Sequence, residues 1–143
     1  MTEFPPTIEE LFETFDDLPD IDDRIDFIID LGRELPGGNP DLQSNENLVD
    51  GCMSTVWLNM NVNDPNSPVQ IQADSDSQII KGLLVVLMAF YNQKSAKAII
   101  DGDVSEYLKR LELDQHLSPQ RRNGLFAMVK RINALAMQAV GDA

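Results

Sequence analysis

Val56-Trp57-Leu58-Asn59-Met60-Asn61-Val62 alternates in character, with Val56, Leu58, Met60 and Val62 on one side and Trp57, Asn59 and Asn61 on the other. That is the period of a strand with one buried face. Asn63-Asp64-Pro65-Asn66-Ser67-Pro68 reads as a turn. Beyond it Val69, Ile71 and Ala73 alternate with Gln70 and Gln72, so the two pieces predict an antiparallel hairpin. After Asp74-Ser75-Asp76 the period changes. Residues 79–91 are apolar on nearly every side, broken mainly by Lys81, and predict a helix at the buried centre of the fold.

Working outward, Thr7-Ile8-Glu9-Glu10 fits a capping box for a short helix to about Phe15. Asp20 caps a second helix, Ile21 to Leu35, whose Ile21, Ile25, Ile28, Leu31 and Leu35 recur at helical spacing. Pro36-Gly37-Gly38-Asn39-Pro40 stops it, and a polar loop runs to about Asn47. Leu48-Val49 suggests a short third strand. Ser75 with Gln78 resembles a capping box for the central helix. Ser95 and Asp103 can each open a short helix, and Ser118-Pro119 opens a last one to about Val140. Six helical segments and a small antiparallel sheet make an α+β fold, with helices covering one face of the sheet and residues 1–143 forming one domain.

Composition narrows the function. Hydrophobic residues are 43% of the chain, enough for a real core. The net charge is −13, and residues 1–50 carry all of it, with fifteen acids against Arg24 and Arg33. Such a surface repels phosphates, so no nucleic-acid partner is expected. It suits a solvated face, a basic protein partner or a salty cytoplasm. Met1-Thr2-Glu3-Phe4-Pro5-Pro6 lacks the basic and apolar regions of a secretion signal, and the longest apolar run is too short for a bilayer. A soluble, cytoplasmic protein without a membrane partner is expected, as a monomer or a homodimer.

Cys52 is the only cysteine, so it forms no intrachain disulfide and no thiolate metal site, and no metal is expected. Gly51 beside it permits backbone angles closed to other residues, and a loop before a strand is a common place for functional side chains. The alternative is a buried small hydrophobe. Arg121 and Arg122 lie in the first turn after Ser118-Pro119, where the helix dipole is already positive; they suit an anion site, or are solvated cations paired with the acidic half. His116, the only histidine, would complete a Cys–His thiol enzyme if it met Cys52, and otherwise is structural or exposed. Trp57 could shield a reactive sulfur or belong to the core or a dimer interface. Gly124, inside a predicted helix, suggests close approach of another backbone or an irregular helix start.

The ordered set Leu31-Gly32, Leu35-Pro36, Val49 through Trp57 with Gly51-Cys52 and Ser54, Asp74-Ser75-Asp76, Lys81-Gly82-Leu83, His116-Leu117-Ser118-Pro119, Arg121 and Asn123-Gly124-Leu125 strongly resembles the SufE family of sulfur-acceptor proteins. The resemblance spans about Ile8 to Ala136. It implies a small antiparallel sheet with helices and an accessory protein without a complete reaction of its own. It implies a cysteine desulfurase as partner, with the pyridoxal phosphate held by that partner and no cofactor in this chain. Cys52 would take the sulfur as a persulfide and pass it to scaffold proteins for iron–sulfur cluster assembly. Arg121 would support the chemistry, and Gly51, Ser54, Trp57, Asp74, Asp76 and His116 would shape the loop or meet the partner. The resemblance further implies that the cysteine loop tucks the thiol over an apolar pocket until a partner docks. Met53 and Thr55 stand where the family commonly has glutamine. The competing readings are a carrier of the same fold serving another desulfurase and sulfuration route, a Cys52–His116 thiol enzyme, and a cluster scaffold, which one cysteine disfavours.

Overall fold

The computed structural model describes residues 4–141. Met1-Thr2-Glu3, part of the segment read for a secretion signal, lie outside the described residues. The elements run α1 (Ile8–Asp17), α2 (Ile21–Arg33), a 3₁₀ turn (Asn45–Asn47), β1 (Val56–Asn61), β2 (Gln70–Ser75), α3 (Gln78–Tyr91), α4 (Ala96–Asp101), α5 (Val104–Arg110), α6 (Leu113–His116) and α7 (Pro119–Gly141). The fold is α+β, with an antiparallel sheet of two strands. No helix among the described residues is long and apolar enough to cross a membrane.

Local chemistry sets most boundaries. Thr7 and Glu10 form the reciprocal capping box of α1. Asp20, Ser95 and Asp103 each accept a backbone N–H at the starts of α2, α4 and α5. The cap of α3 differs from the sequence expectation. Ser77, not Ser75, accepts from the Ile80 N–H, at 3.5 Å. Ser75 instead ends β2, and its hydroxyl donates to the Thr55 carbonyl at 2.7 Å. A partner across the hairpin outweighs a merely adequate cap spacing. The four-residue α6 was not foreseen, and the residue that precedes it, Glu112, adopts φ of +60°.

The hairpin register pairs Val56 with Ser75, Leu58 with Ala73 and Met60 with Ile71 on the helix-covered face. Leu58 and Val56 are fully buried there. The other face is also closed at one end, because the loop after α2 folds over it and buries Asp74 opposite Trp57. The third strand reduces to one bridge, Leu48 with Trp57, beside a Val49 N–H donating to the Val56 carbonyl at 2.9 Å.

In α3, every residue except Gln78, Lys81, Met88 and Phe90 is buried. Its contact with α2 is a backbone approach. A Cβ added to Gly82 would sit 1.9 Å from the Ile28 carbonyl oxygen, and one on Gly32 would sit 2.7 Å from the Gly82 nitrogen. Only glycine allows helices that close. This crossing fixes where α3 begins, and that beginning forms one wall of the site. On the far side Arg24 joins three elements, donating to the Leu18 and Phe15 carbonyls at 2.6 and 3.0 Å and to Glu112 at 3.1 Å.

Candidate functional site

The Cys52 loop is fastened at both ends. Upstream, Arg131 of α7 donates to the Glu46 carbonyl at 2.7 Å, and Val49 pairs with Val56. Downstream, the Thr55 N–H donates to an Asp76 carboxylate oxygen at 3.1 Å, and the Asp76 N–H donates to the Thr55 carbonyl at 3.2 Å. Ser75 adds its bond to the same carbonyl. Asp76 and Ser75 therefore hold the exit of the loop. Within the loop Gly51 adopts φ of +91°, where a side chain would be strained, and a Cβ there would lie 3.4 Å from the Ala127 methyl.

That turn lays Cys52 against the start of α7. Its sulfur lies 3.7 Å from the Gly124 carbonyl oxygen, a weak thiol donor contact. A cleft of about 190 Å³ surrounds it. Ile79, Ile80 and Gly124 supply its apolar side, while Ser54, Ser77, Gln120 and Arg121 supply its polar rim. The thiol is half-buried, and burial pushes its pKa up, so in this closed arrangement it is held as the neutral thiol. The N-terminal turns of both α3 and α7 border the cleft, so an anion there would meet the positive ends of two helix dipoles.

Arg121 and Arg122 do not act together here. Arg121 lines the cleft, and its guanidinium has no hydrogen-bond or ion-pair partner among the described residues. Arg122 turns away and donates to the Asp114 carbonyl at 3.3 Å. Ser118 caps both, accepting from the Arg121 N–H at 3.4 Å through its hydroxyl and from the Arg122 N–H at 2.9 Å through its carbonyl.

The other sequence-derived residues fall elsewhere. Asp74 accepts from the Gly38 N–H at 3.1 Å and the Gln43 amide at 3.2 Å, with Lys81 at 3.7 Å, so it holds down the loop after α2. Trp57 is half-buried on the face opposite the helices and does not line the cleft. His116 is exposed and its Nε2 lies 3.2 Å from Glu112, so it joins the Arg24 cluster and does not line the Cys52 cleft. The close approach expected at Gly124 is of side chains, not of a backbone: a Cβ there would lie 3.8 Å from Ile80 Cδ1 and 3.9 Å from Cys52 Sγ. Ser77, Ile79, Ile80 and Gln120 were not anticipated as cleft residues. A helix N-cap next to the motif aspartates was the available signal for Ser77.

The sequence profile of SufE, described as an Fe-S metabolism associated domain, matches residues 9–136. The chain belongs to the SufE family. Membership associates this SufE protein with iron–sulfur metabolism. Its fold is also similar to that of a hypothetical protein from Thermus thermophilus whose structure was solved in solution. The two share 18% identity, the match covers 99% of each chain, and the TM-score is 0.72. At that identity the likeness concerns the fold alone.

Proposed function

We propose that this protein accepts sulfur on Cys52 from the persulfide of a cysteine desulfurase that uses pyridoxal phosphate, activates that enzyme by clearing it, and carries the sulfur toward iron–sulfur cluster assembly. Family membership supplies the context. The carrying observation is the loop: a lone thiol beside a glycine turn at positive φ, fastened on either side, half-buried over a cleft that the unpaired Arg121 also lines.

In the transfer, the Cys52 thiolate attacks the outer sulfur of the donor persulfide. A new S–S bond forms at Cys52 as the donor's S–S bond breaks, and the donor leaves as thiolate. Sulfur changes hands without net oxidation. The closed loop disfavours the thiolate, because burial raises its pKa. Attack therefore requires the loop to lift or the partner to bring positive charge. Afterwards the cleft offers the persulfide an apolar wall, and Arg121 offers its charge. The histidine a free-standing thiol enzyme would use as base is engaged with Glu112, which favours the carrier reading over the enzyme reading.

The experiment combines the protein, its cognate desulfurase and free cysteine. Intact-mass analysis should show one added sulfur atom on the wild-type chain, mapped to Cys52, together with faster sulfide release. Cys52→Ser should show neither. Full stimulation by the serine variant would reject the relay.

A further inference from the structure

We propose that the solvent face of α7 beside the Cys52 loop is the docking surface for the sulfur donor, and that the donor's matching surface is an apolar patch rimmed by carboxylates. The inference rests on the carrier reading above and adds where the donor sits and what its surface is made of.

Helical spacing puts Phe126, Lys130, Asn133 and Met137 in one line pointing away from the core residues Leu125, Met128, Ile132 and Ala136. The line is about 16 Å long at the ordinary helical rise. Phe126 is 45% exposed and Met137 62%, so two large apolar side chains on this line stand open to solvent. Met53, next to Cys52, is 79% exposed. The two features are neighbours, since Gly51 abuts Ala127 and Cys52 abuts Gly124 on the adjoining flank of the same helix.

Charge decides the occupant. The chain carries −13 overall, yet Arg121, Arg122, Lys130 and Arg131 of α7 make no ion pair among the described residues. Arg122 and Arg131 donate to backbone carbonyls, which leaves their charge uncompensated. The ion pairs elsewhere use Arg24, Arg33, Lys81, Arg110 and His116. Residues 119–141 hold these four cations and no acid, whereas residues 1–50 set fifteen acids against two bases, so an acidic surface is drawn to α7 and repelled by the acidic half. A second copy of this chain would bring its own like-charged cations to the same face.

The test titrates the cognate desulfurase against the wild type, Phe126→Ala, Lys130→Glu and, as a charge control, Lys109→Glu on α5. Sulfur uptake by each is followed by intact mass. Phe126→Ala and Lys130→Glu should weaken binding about tenfold or more, with wild-type transfer rates at saturating desulfurase, while Lys109→Glu binds as the wild type. Wild-type affinity should fall with added salt. Unchanged affinity in Phe126→Ala and Lys130→Glu, or an equal loss in Lys109→Glu, overturns the docking face while leaving the carrier reading in place. A wild-type chain that takes up no sulfur removes the carrier reading and this proposal together.

Discussion

The sulfur of Cys52 and the carbonyl oxygen of Gly124, 72 residues apart in the chain, lie 3.7 Å from each other. A carbonyl oxygen welcomes a thiol proton and opposes a thiolate. The contact therefore holds the loop down while the sulfur is neutral, and weakens once the sulfur carries charge.

That arrangement sets a pH dependence. The folded pKa of Cys52 lies above its unfolded value, with burial as the cause. Between the two values the unfolded chain has already lost the proton that the folded chain keeps. The stability contributed by the neutral thiol is thus complete below the unfolded pKa and is lost as pH rises through the folded one. Alkylation of the isolated protein by iodoacetamide should be slower at neutral pH than for a free cysteine, with its inflection displaced to higher pH. An inflection below that of free cysteine would contradict the closed arrangement.

Gly124→Ala probes the floor of the cleft. The new methyl would find ordinary van der Waals distances, 3.8 Å to Ile80 and 3.9 Å to Cys52. Removing a glycine from a helix should stabilise the fold by up to about 1 kcal/mol. The same methyl takes space beside the sulfur, so the persulfide should be removed faster by added reductant. A raised melting temperature with a shortened persulfide lifetime is the expected pair of results.

Arg121→Ala should leave the melting temperature near that of the wild type, since this exposed guanidinium has no partner among the described residues to lose. Sulfur transfer should slow about tenfold, the order expected for one charge-assisted contact. Arg121→Lys should recover part of the rate. Transfer kinetics identical to the wild type would return this residue to a solvated surface role.

Asp74→Asn tests the loop after α2. Asp74 is buried and serves Gly38, Gln43 and Lys81 at once. Neutralising it leaves Lys81 without its counter-charge and should cost about 3 kcal/mol. Urea unfolding checks the value. A shift within the error of that measurement would mean the loop is held by something else.

Gly82→Ala should be the most damaging single methyl in the chain. Its Cβ would fall 1.9 Å from the Ile28 carbonyl oxygen, a backbone atom with no rotamer to change. The helices must separate, at about 3 kcal/mol or more. Poor soluble yield or a much lower urea midpoint is expected; wild-type stability would contradict the backbone contact between α2 and α3.

Much of this was legible in the amino-acid order. The switch from period two at Val56–Val62 to an all-round apolar helix at residues 79–91 identified the hairpin and the central helix, because burial of those side chains dominates both. Caps at Thr7, Asp20, Ser95 and Asp103 were legible because each acts within three residues. The choice between Ser75 and Ser77 was not, since Thr55, at the entry to the other strand, decides it. Nor was α6, whose four residues carry no period and whose left-handed Glu112 gives no glycine signal. At the site, the motif pointed to Cys52 and Arg121, and both line one cleft. It could not say that Arg122 turns away, that His116 goes to Glu112, or that Asp74 pins a loop, because each depends on how the folded chain arranges its neighbours.

The bond between Val49 and Val56 ties the base of the cysteine loop into a short tether. From Val49 to Cys52 is three residues, so even fully stretched the Cys52 backbone reaches only about 10 Å from that knot. If Cys52 accepts sulfur as proposed, so short an arm cannot fetch it from a recessed chamber. The donor would then carry it to its own doorstep, and the longer limb in the exchange would belong to the visitor.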